Sequence, residues 1–169
     1  ETDLIPSPVE KAVTIRERIT DLDATFSSTS IYWNEPLTLT VFYKDHLTAS
    51  GISGATVEAI FICGETKATY SLTETNAGEY ELEISNFIHP AGTYTVIIKA
   101  YKQNYEKIEK VYSITVNPRP TRLTDYDAYV ELPWQSSYTL AVKYQDTGYT
   151  PYIDISDANV EFEIRDSQG

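Results

Sequence analysis

The feature that most constrains this chain is an internal repeat. Fixed-period self-similarity is worth seeking before any local reading, because missing it misplaces every domain boundary. Arg18-Ile19-Thr20-Asp21-Leu22-Asp23-Ala24 is matched by Arg122-Leu123-Thr124-Asp125-Tyr126-Asp127-Ala128, an offset of 104 (Arg18 to Arg122). Leu37-Thr38-Leu39-Thr40-Val41-Phe42-Tyr43-Lys44-Asp45 is matched by Tyr138-Thr139-Leu140-Ala141-Val142-Lys143-Tyr144-Gln145-Asp146, an offset of 101 (Asp45 to Asp146). Gly54-Ala55-Thr56-Val57-Glu58 falls on Asp157-Ala158-Asn159-Val160-Glu161, an offset of 103 (Gly54 to Asp157), and Trp33 falls on Trp134. The order is kept and the offset drifts only by loop-sized gaps.

A third fragment precedes the first copy. Val9-Glu10-Lys11-Ala12-Val13-Thr14-Ile15 resembles Ile108-Glu109-Lys110-Val111-Tyr112-Ser113-Ile114-Thr115-Val116. Residues 1–17 are therefore expected to hold the last strand of a preceding repeat. Residues 18–117 form one complete unit, and 118–169 the first half of a following one. Asn117-Pro118-Arg119-Pro120 joins them, and its two prolines favour a short, stiff, extended linker.

Within the complete unit the hydrophobic period is two. Leu37, Leu39, Val41 and Tyr43 alternate with Thr38, Thr40 and Phe42; Tyr80, Leu82 and Ile84 alternate with Glu79, Glu81 and Glu83; Tyr94, Val96, Ile98 and Ala100 alternate with Thr95, Ile97 and Lys99. Alternation puts one set on a core face and the other toward solvent, and the Thr, Tyr, Val and Ile content suits strands. Asn76-Ala77-Gly78 and His89-Pro90-Ala91-Gly92 carry turn chemistry. Tyr101, Tyr105, Ile108 and Tyr112 are spaced as on a helix, but the echo of 107–116 at 9–15 favours a strand there. Strands at this spacing predict an all-β sandwich. Tyr94, Val96, Tyr80, Leu82, Leu39 and Val41 are its expected core.

Three segments, Gly78-Glu79-Tyr80-Glu81-Leu82-Glu83-Ile84, Ala91-Gly92-Thr93-Tyr94-Thr95-Val96 and Asn104-Tyr105-Glu106, resemble the immunoglobulin-like repeats of prokaryotic (archaeal or bacterial) cell-surface proteins. The resemblance implies immunoglobulin-like β-sandwich repeats in tandem, the last one incomplete. It puts Tyr94 at the tyrosine-corner position and Val96 where antibody domains carry a cysteine; the paired cysteines and the third-strand tryptophan of those domains are absent. A setting outside the cell or on its surface is what the resemblance implies.

Charge removes whole classes of partner. The 169 residues carry 13 Lys and Arg against 25 Asp and Glu, a formal charge of -12, and acids exceed bases in each of the three segments. Such a surface repels nucleic acid and anionic lipid. No apolar run approaches the ~20 residues that cross a bilayer as a helix, so no membrane insertion is expected in this segment. The single cysteine, Cys63, excludes an internal disulfide and sits in the apolar run Ala59-Ile60-Phe61-Ile62. Nucleotide-binding, zinc-protease, serine-hydrolase and redox motifs are absent, and two histidines with one cysteine do not build a zinc site, so no enzyme activity is expected.

Two features remain as candidate sites. Asp21 with Asp23, and Asp125 with Asp127, lie two residues apart beside a repeat junction and could offer oxygen ligands to Ca²⁺, with Asp45 or Asp146 from a neighbouring loop adding one; the alternative is a charged edge that discourages strand pairing with other molecules. Trp33 and Trp134 could meet a sugar ring or an adjoining domain. The leading expectation is a non-catalytic spacer, contacting neighbouring repeats of the same protein. The alternatives are an adhesive or carbohydrate-binding module that meets surface glycans, and a filament subunit completed by strand addition from other copies of the chain. The half repeat has no counterparts of Tyr80, Leu82, Ile84, Tyr94, Val96 and Ile98, so Tyr138, Leu140 and Val142 are expected to face water unless a further segment or another chain covers them.

Overall fold

The computed structural model describes residues 13–124, 132–133 and 135–163. They fall in two compact units, Glu1–Val116 and Asn117–Gly169. The chain is all-β, with no helix among the described residues.

The first unit is sandwich-like. Its strands are β1 (Thr20–Phe26), β2 (Ser30–Tyr32), β3 (Leu37–Asp45), β4 (Thr56–Cys63), β5 (Thr66–Ser71), β6 (Thr73–Asn76), β7 (Glu79–Ile84), β8 (Gly92–Tyr101) and β9 (Ile108–Asn117). One sheet has the order β1-β3-β7-β6 and the other β2-β9-β8-β4-β5. The helical spacing at 101–112 is overridden: β8 ends at Tyr101, Asn104 turns in the left-handed region (φ 66–70° is where Asn is tolerated), and β9 starts at Ile108.

The alternating residues meet between the sheets. Leu22, Leu37, Leu39, Val41, Tyr43 and Tyr80 come from the first sheet; Val57, Ala59, Phe61, Tyr94, Val96, Ile98, Ala100, Ile114 and Val116 come from the second, all buried. Leu82 is partly buried against this core. Register is fixed because a one-residue slip would turn each of these rows to solvent. Thus Leu39 sits opposite Leu82, Val41 opposite Tyr80, and Phe61 opposite Val96. At one end Phe87 stacks edge-on against Tyr94 (5.4 Å between centroids) and tilts against Phe61 (5.6 Å). Gly51 and Gly78 let two loops cross backbone to backbone: a Cβ on Gly51 would stand 1.9 Å from the Ala77 carbonyl oxygen.

The second unit has one sheet among its described residues, β10 (Thr121–Thr124), β11 (Lys143–Asp146) and β12 (Ile153–Asp154), in that order. Its backbone repeats devices of the first unit. Thr20 pairs with Asp45, and Thr121 with Asp146. The His46 amide donates to Ile19 O at 3.0 Å, and the Thr147 amide to Pro120 O at 2.9 Å. The Ile52 amide donates to Tyr43 O at 2.9 Å, and the Ile155 amide to Tyr144 O at 2.8 Å. Asn34 and Gln135 both have positive φ (66° and 63°), as do Gly54 and Asp157 (65° and 59°).

These pairings differ from the sequence match at one place. Arg119, not Arg122, stands where Arg18 stands, an offset of 101 (Arg18 to Arg119). The chain holds two Arg-x-Thr triplets in succession, Arg119-Pro120-Thr121 and Arg122-Leu123-Thr124. Identity favours the second. The ion pair to Asp146 and the strand pairing use the first.

Of the strand expected at 9–15, residues 9–12 lie outside the described residues, and Val13 and Ile15 are exposed and belong to no named strand. Residues 157–163, the counterpart of the start of β4, are irregular, with Phe162 exposed.

Candidate functional site

The residues singled out from sequence divide between core and surface. Tyr94 is fully buried, and its hydroxyl donates to Pro90 O at 2.6 Å. Burial pushes its phenol pKa up. The Tyr80 hydroxyl donates to Ile52 O at 2.7 Å and accepts from the Ala55 amide at 2.9 Å, so a buried polar atom is satisfied twice. Leu39, Val41 and Val96 are fully buried.

Asp21 and Asp23 share the exposed face of β1, as their spacing dictates. Each is met by a basic side chain. His46 Nδ1 is 3.0 Å from Asp21 Oδ2, and Lys110 Nζ is 2.7 Å from Asp23 Oδ1. The Asp23 carboxylate holds the Lys110 ammonium above its ordinary pKa. An ammonium on the carboxylate competes with a dication for the same oxygens. No group of three or more His, Cys, Asp or Glu that could hold a metal ion occurs among the described residues. Asp125 and Asp127 lie outside the described residues. In the strand pairing, Arg122 and Thr124 take the places of Asp21 and Asp23: Asp21 faces Lys44 and Arg122 faces Gln145, while Asp23 faces Phe42 and Thr124 faces Lys143.

Trp33 is 41% exposed, and its indole N–H donates to Ile88 O at 3.1 Å. The left-handed Asn34 beside it donates its amide to Phe87 O at 2.8 Å, and the Phe87 amide donates to Glu35 O at 3.0 Å. The tryptophan therefore straps the β2–β3 loop to the β7–β8 loop. Trp134 lies outside the described residues. Cys63 is a partly buried free thiol.

The other end of the first unit is closed by a polar centre at Asp45, a residue the sequence offered only as a further calcium ligand and which the fold instead gives to an arginine and two amides. Asp45 is 3% exposed, and its Oδ2 lies 2.6 Å from Arg18 Nε. Its Oδ1 accepts from the Leu47 and Thr48 amides, both at 3.0 Å. The Thr48 amide leads the groups that hold this carboxyl below its ordinary pKa, with the Thr48 side chain, the Arg18 charge and the Leu47 amide adding to it. The Arg18 backbone is tied to the β8–β9 loop: its amide donates to Asn104 O and its carbonyl accepts from the Glu106 amide. The Glu106 carbonyl in turn accepts from Thr20 Oγ1 at 3.1 Å and from the Tyr43 hydroxyl at 3.2 Å. In the second unit Arg119 pairs with Asp146, both side chains nine-tenths buried, and the Arg119 guanidinium lies 4.1 Å from the Tyr149 ring centroid. The missed signal was the spacing Arg18 to Asp45 recurring as Arg119 to Asp146.

The outer face of the five-stranded sheet holds a shallow, open groove lined by Thr56, Glu58, Lys99, Ala100, Tyr101 and Lys107. The strand register sets its rows. Thr56 pairs with Tyr101; Glu58 pairs with Lys99, which pairs with Glu109; Ile60 pairs with Ile97, which pairs with Val111. A charged row thus divides an apolar row from the exposed ring of Tyr101, and Lys99 Nζ is 3.2 Å from Glu109 Oε2. β5 does not reach this corner, since its pairing with β4 ends at Glu58 opposite Ser71.

No family model matches this chain, and no curated protein matches it. Among solved structures it is similar to a candidate glycoside hydrolase from Bacteroides vulgatus, at 16% identity and a TM-score of 0.39 over 54% of this chain. It is also similar to an engineered protein, at 17% identity and a TM-score of 0.40 over 57% of this chain. The chain spans 16% and 20% of the lengths of those two structures. Neither likeness bears on activity.

Proposed function

We propose that this chain is a non-catalytic spacer from an extracellular surface protein built of immunoglobulin-like repeats in tandem. Residues 18–117 are one repeat and 118–169 begin the next. The observation that carries this reading is the recurrence of one end of the sandwich. The Arg–Asp ion pair, the flanking backbone bonds and the left-handed turn at Gly54 and Asp157 return in the same order, at offsets of 101 (Arg18 to Arg119) and 103 (Gly54 to Asp157). A device that rebuilds the same chain entry in successive units suits a rod whose units each add length.

The strand order supports the finer assignment. β1-β3-β7-β6 opposite β9-β8-β4 follows the order of the two sheets in constant-type immunoglobulin domains, with β2 and β5 as added edges. The Tyr94 hydroxyl bonded to Pro90 O, with Val96 two residues on, is what a tyrosine corner requires.

Two measurements test it. In single-molecule pulling, 18–117 should open in one event that lengthens the chain by on the order of 300 Å, the reach of about a hundred extended residues. Surface biotinylation of intact cells should label this segment in its parent protein. Opening in many small steps would count against the repeat, and labelling only after lysis would count against the surface setting.

A further inference from the structure

Beyond a spacing role, we propose that the groove at Thr56, Glu58, Lys99, Tyr101 and Lys107 is a contact site for a neutral pyranoside, with Tyr101 as the platform. Tyr101 is half exposed on the outer face of β8, at a corner that β5 does not cover. Its hydroxyl takes part in no hydrogen bond to another described residue, so the ring packs as a flat apolar surface rather than as a buried polar anchor. An aromatic face is electron-rich and attracts the C–H groups of a sugar's apolar face. Beside it stand a carboxylate, an ammonium and a hydroxyl, from Glu58, Lys99 and Thr56, on three positions set by strand register. Vicinal sugar hydroxyls both donate and accept, so a carboxylate and an ammonium side by side can each bond one hydroxyl of a pair. Lys107 adds a second donor at the open rim and makes no ion pair among the described residues.

Charge selects the neutral class of ligand. The charges at the groove balance: Lys99 and Lys107 stand in it with Glu58, and Glu109 beside it pairs with Lys99, while the whole chain carries -12. A balanced site has no net charge to hold a uronate or phosphate against the acidic chain, whereas an uncharged sugar is indifferent to that field. Trp33 is the rival platform. Its indole N–H is committed to Ile88 O.

The test uses the full chain and a panel of neutral di- and trisaccharides, with a uronate-containing oligosaccharide alongside. Binding is followed by saturation-transfer NMR and calorimetry. The expected result is weak binding of at least one neutral member, with transfer strongest to its ring C–H protons. Tyr101→Ala should weaken it about tenfold, equivalent to about 1.4 kcal/mol. Tyr101→Phe should keep most of it, and Trp33→Ala should leave it unchanged. Because Tyr101 lies outside the core, an unchanged melting temperature certifies the variant. Preference for the uronate, binding that survives Tyr101→Ala, or no binding of any neutral member at 10 mM-scale concentration (about 3 kcal/mol by the affinity scale) would overturn the proposal.

Discussion

The two units place equivalent residues in unequal surroundings. Leu37 and Leu39 are at 1% and 0% exposure, while Tyr138 and Leu140, their sequence counterparts, are at 44% and 40%. Nine-residue β3 answers to four-residue β11. Yet the Arg–Asp pair, the left-handed turn and the Ile-to-Tyr backbone bond form in both. Those devices are satisfied within about thirty residues of chain and need no second sheet. A strand has little to gain from its apolar alternation until another layer buries it, because burial and not propensity supplies most of the free energy. Local polar bonds are thus enough to shape an end of the sandwich, and long-range packing decides how far its strands extend.

The largest test of this contrast is a matched pair of truncations. Tyr43 is fully buried and Tyr144 only partly. Tyr43→Ala should destabilise the first unit by about 3–5 kcal/mol, as large aromatic losses from cores do. Tyr94→Ala should fall in the same range, and Tyr94→Phe should cost about 1 kcal/mol for its hydrogen bond to Pro90. Tyr144→Ala should cost well under half of the Tyr43→Ala loss, since less side chain leaves a packed site. Urea unfolding followed by amide NMR, which reads each unit separately, gives the comparison. Equal losses at 43 and 144 would mean that the second unit buries Tyr144 as fully as the first buries Tyr43.

A second pair concerns backbone contact. A methyl group on Gly51 would overlap the Ala77 carbonyl, and backbone cannot swing aside as a side chain can. Gly51→Ala should cost about 1–3 kcal/mol, as overpacking does. The equivalent by pairing is Asp154: the Lys44–Gly51 bridge answers to the Gln145–Asp154 pair. Asp154 is exposed, so Asp154→Ala should stay within about 0.5 kcal/mol. Thermal melts of the two variants decide it; a Gly51→Ala melt equal to the parent would mean that the loop crossing is not needed for stability.

How much of this was legible beforehand differs between strands and polar bonds. Period-two alternation located β3, β7 and β8 and named Leu39, Val41, Tyr80, Tyr94 and Val96, because one buried face leaves a direct trace in composition. The sequence echo between the two units was legible as well, but which arginine of 119–124 answers to Arg18 was not. Two Arg-x-Thr triplets stand three residues apart at 119–124, and identity cannot tell which arginine meets Asp146. The Asp45 centre left no composition signal, since a buried aspartate is identified by the amides and the arginine that the fold brings to it. Tyr101 was read in a helical spacing with Tyr105 and Ile108; only the register of β4, β8 and β9 puts it beside Thr56 and next to the charged row.

The Asp45 centre also predicts an acid limb. Its folded pKa lies below the ordinary carboxylate value, so its stabilising contribution is present above that ordinary value, about 3.9, and is lost as pH falls through the folded pKa. Asp45→Asn should therefore lower the melting temperature of the first unit at pH 7 and leave a smaller further fall on acidification than the parent shows. A pH series of melts from 7 to 2 on both proteins checks the sign; parallel curves would remove Asp45 from the acid response.

The smallest effect belongs to a contact with no counterpart among the described residues of the second unit. Lys110 bridges from β9 to Asp23 on β1 and so closes one edge between the two sheets of the first unit. At the paired position of the second unit stands Thr124. Because Asp23 raises the Lys110 pKa, the stabilisation is present below the ordinary lysine value of about 10.4 and is lost as pH rises through the folded pKa. Both side chains are largely exposed, at 44% and 77%, so Asp23→Asn should cost about 0.2–1 kcal/mol in dilute buffer and less in salt, which screens exposed pairs. The same variant separates the two readings of the Asp21–Asp23 edge. If the pair serves as a charged edge tied by His46 and Lys110, adding millimolar-range Ca²⁺ leaves the parent melt unchanged and Asp23→Asn changes only its salt dependence. A melt that rises with Ca²⁺ in the parent and not in Asp23→Asn would mean that the dication displaces Lys110, and the edge would then be a cation site after all.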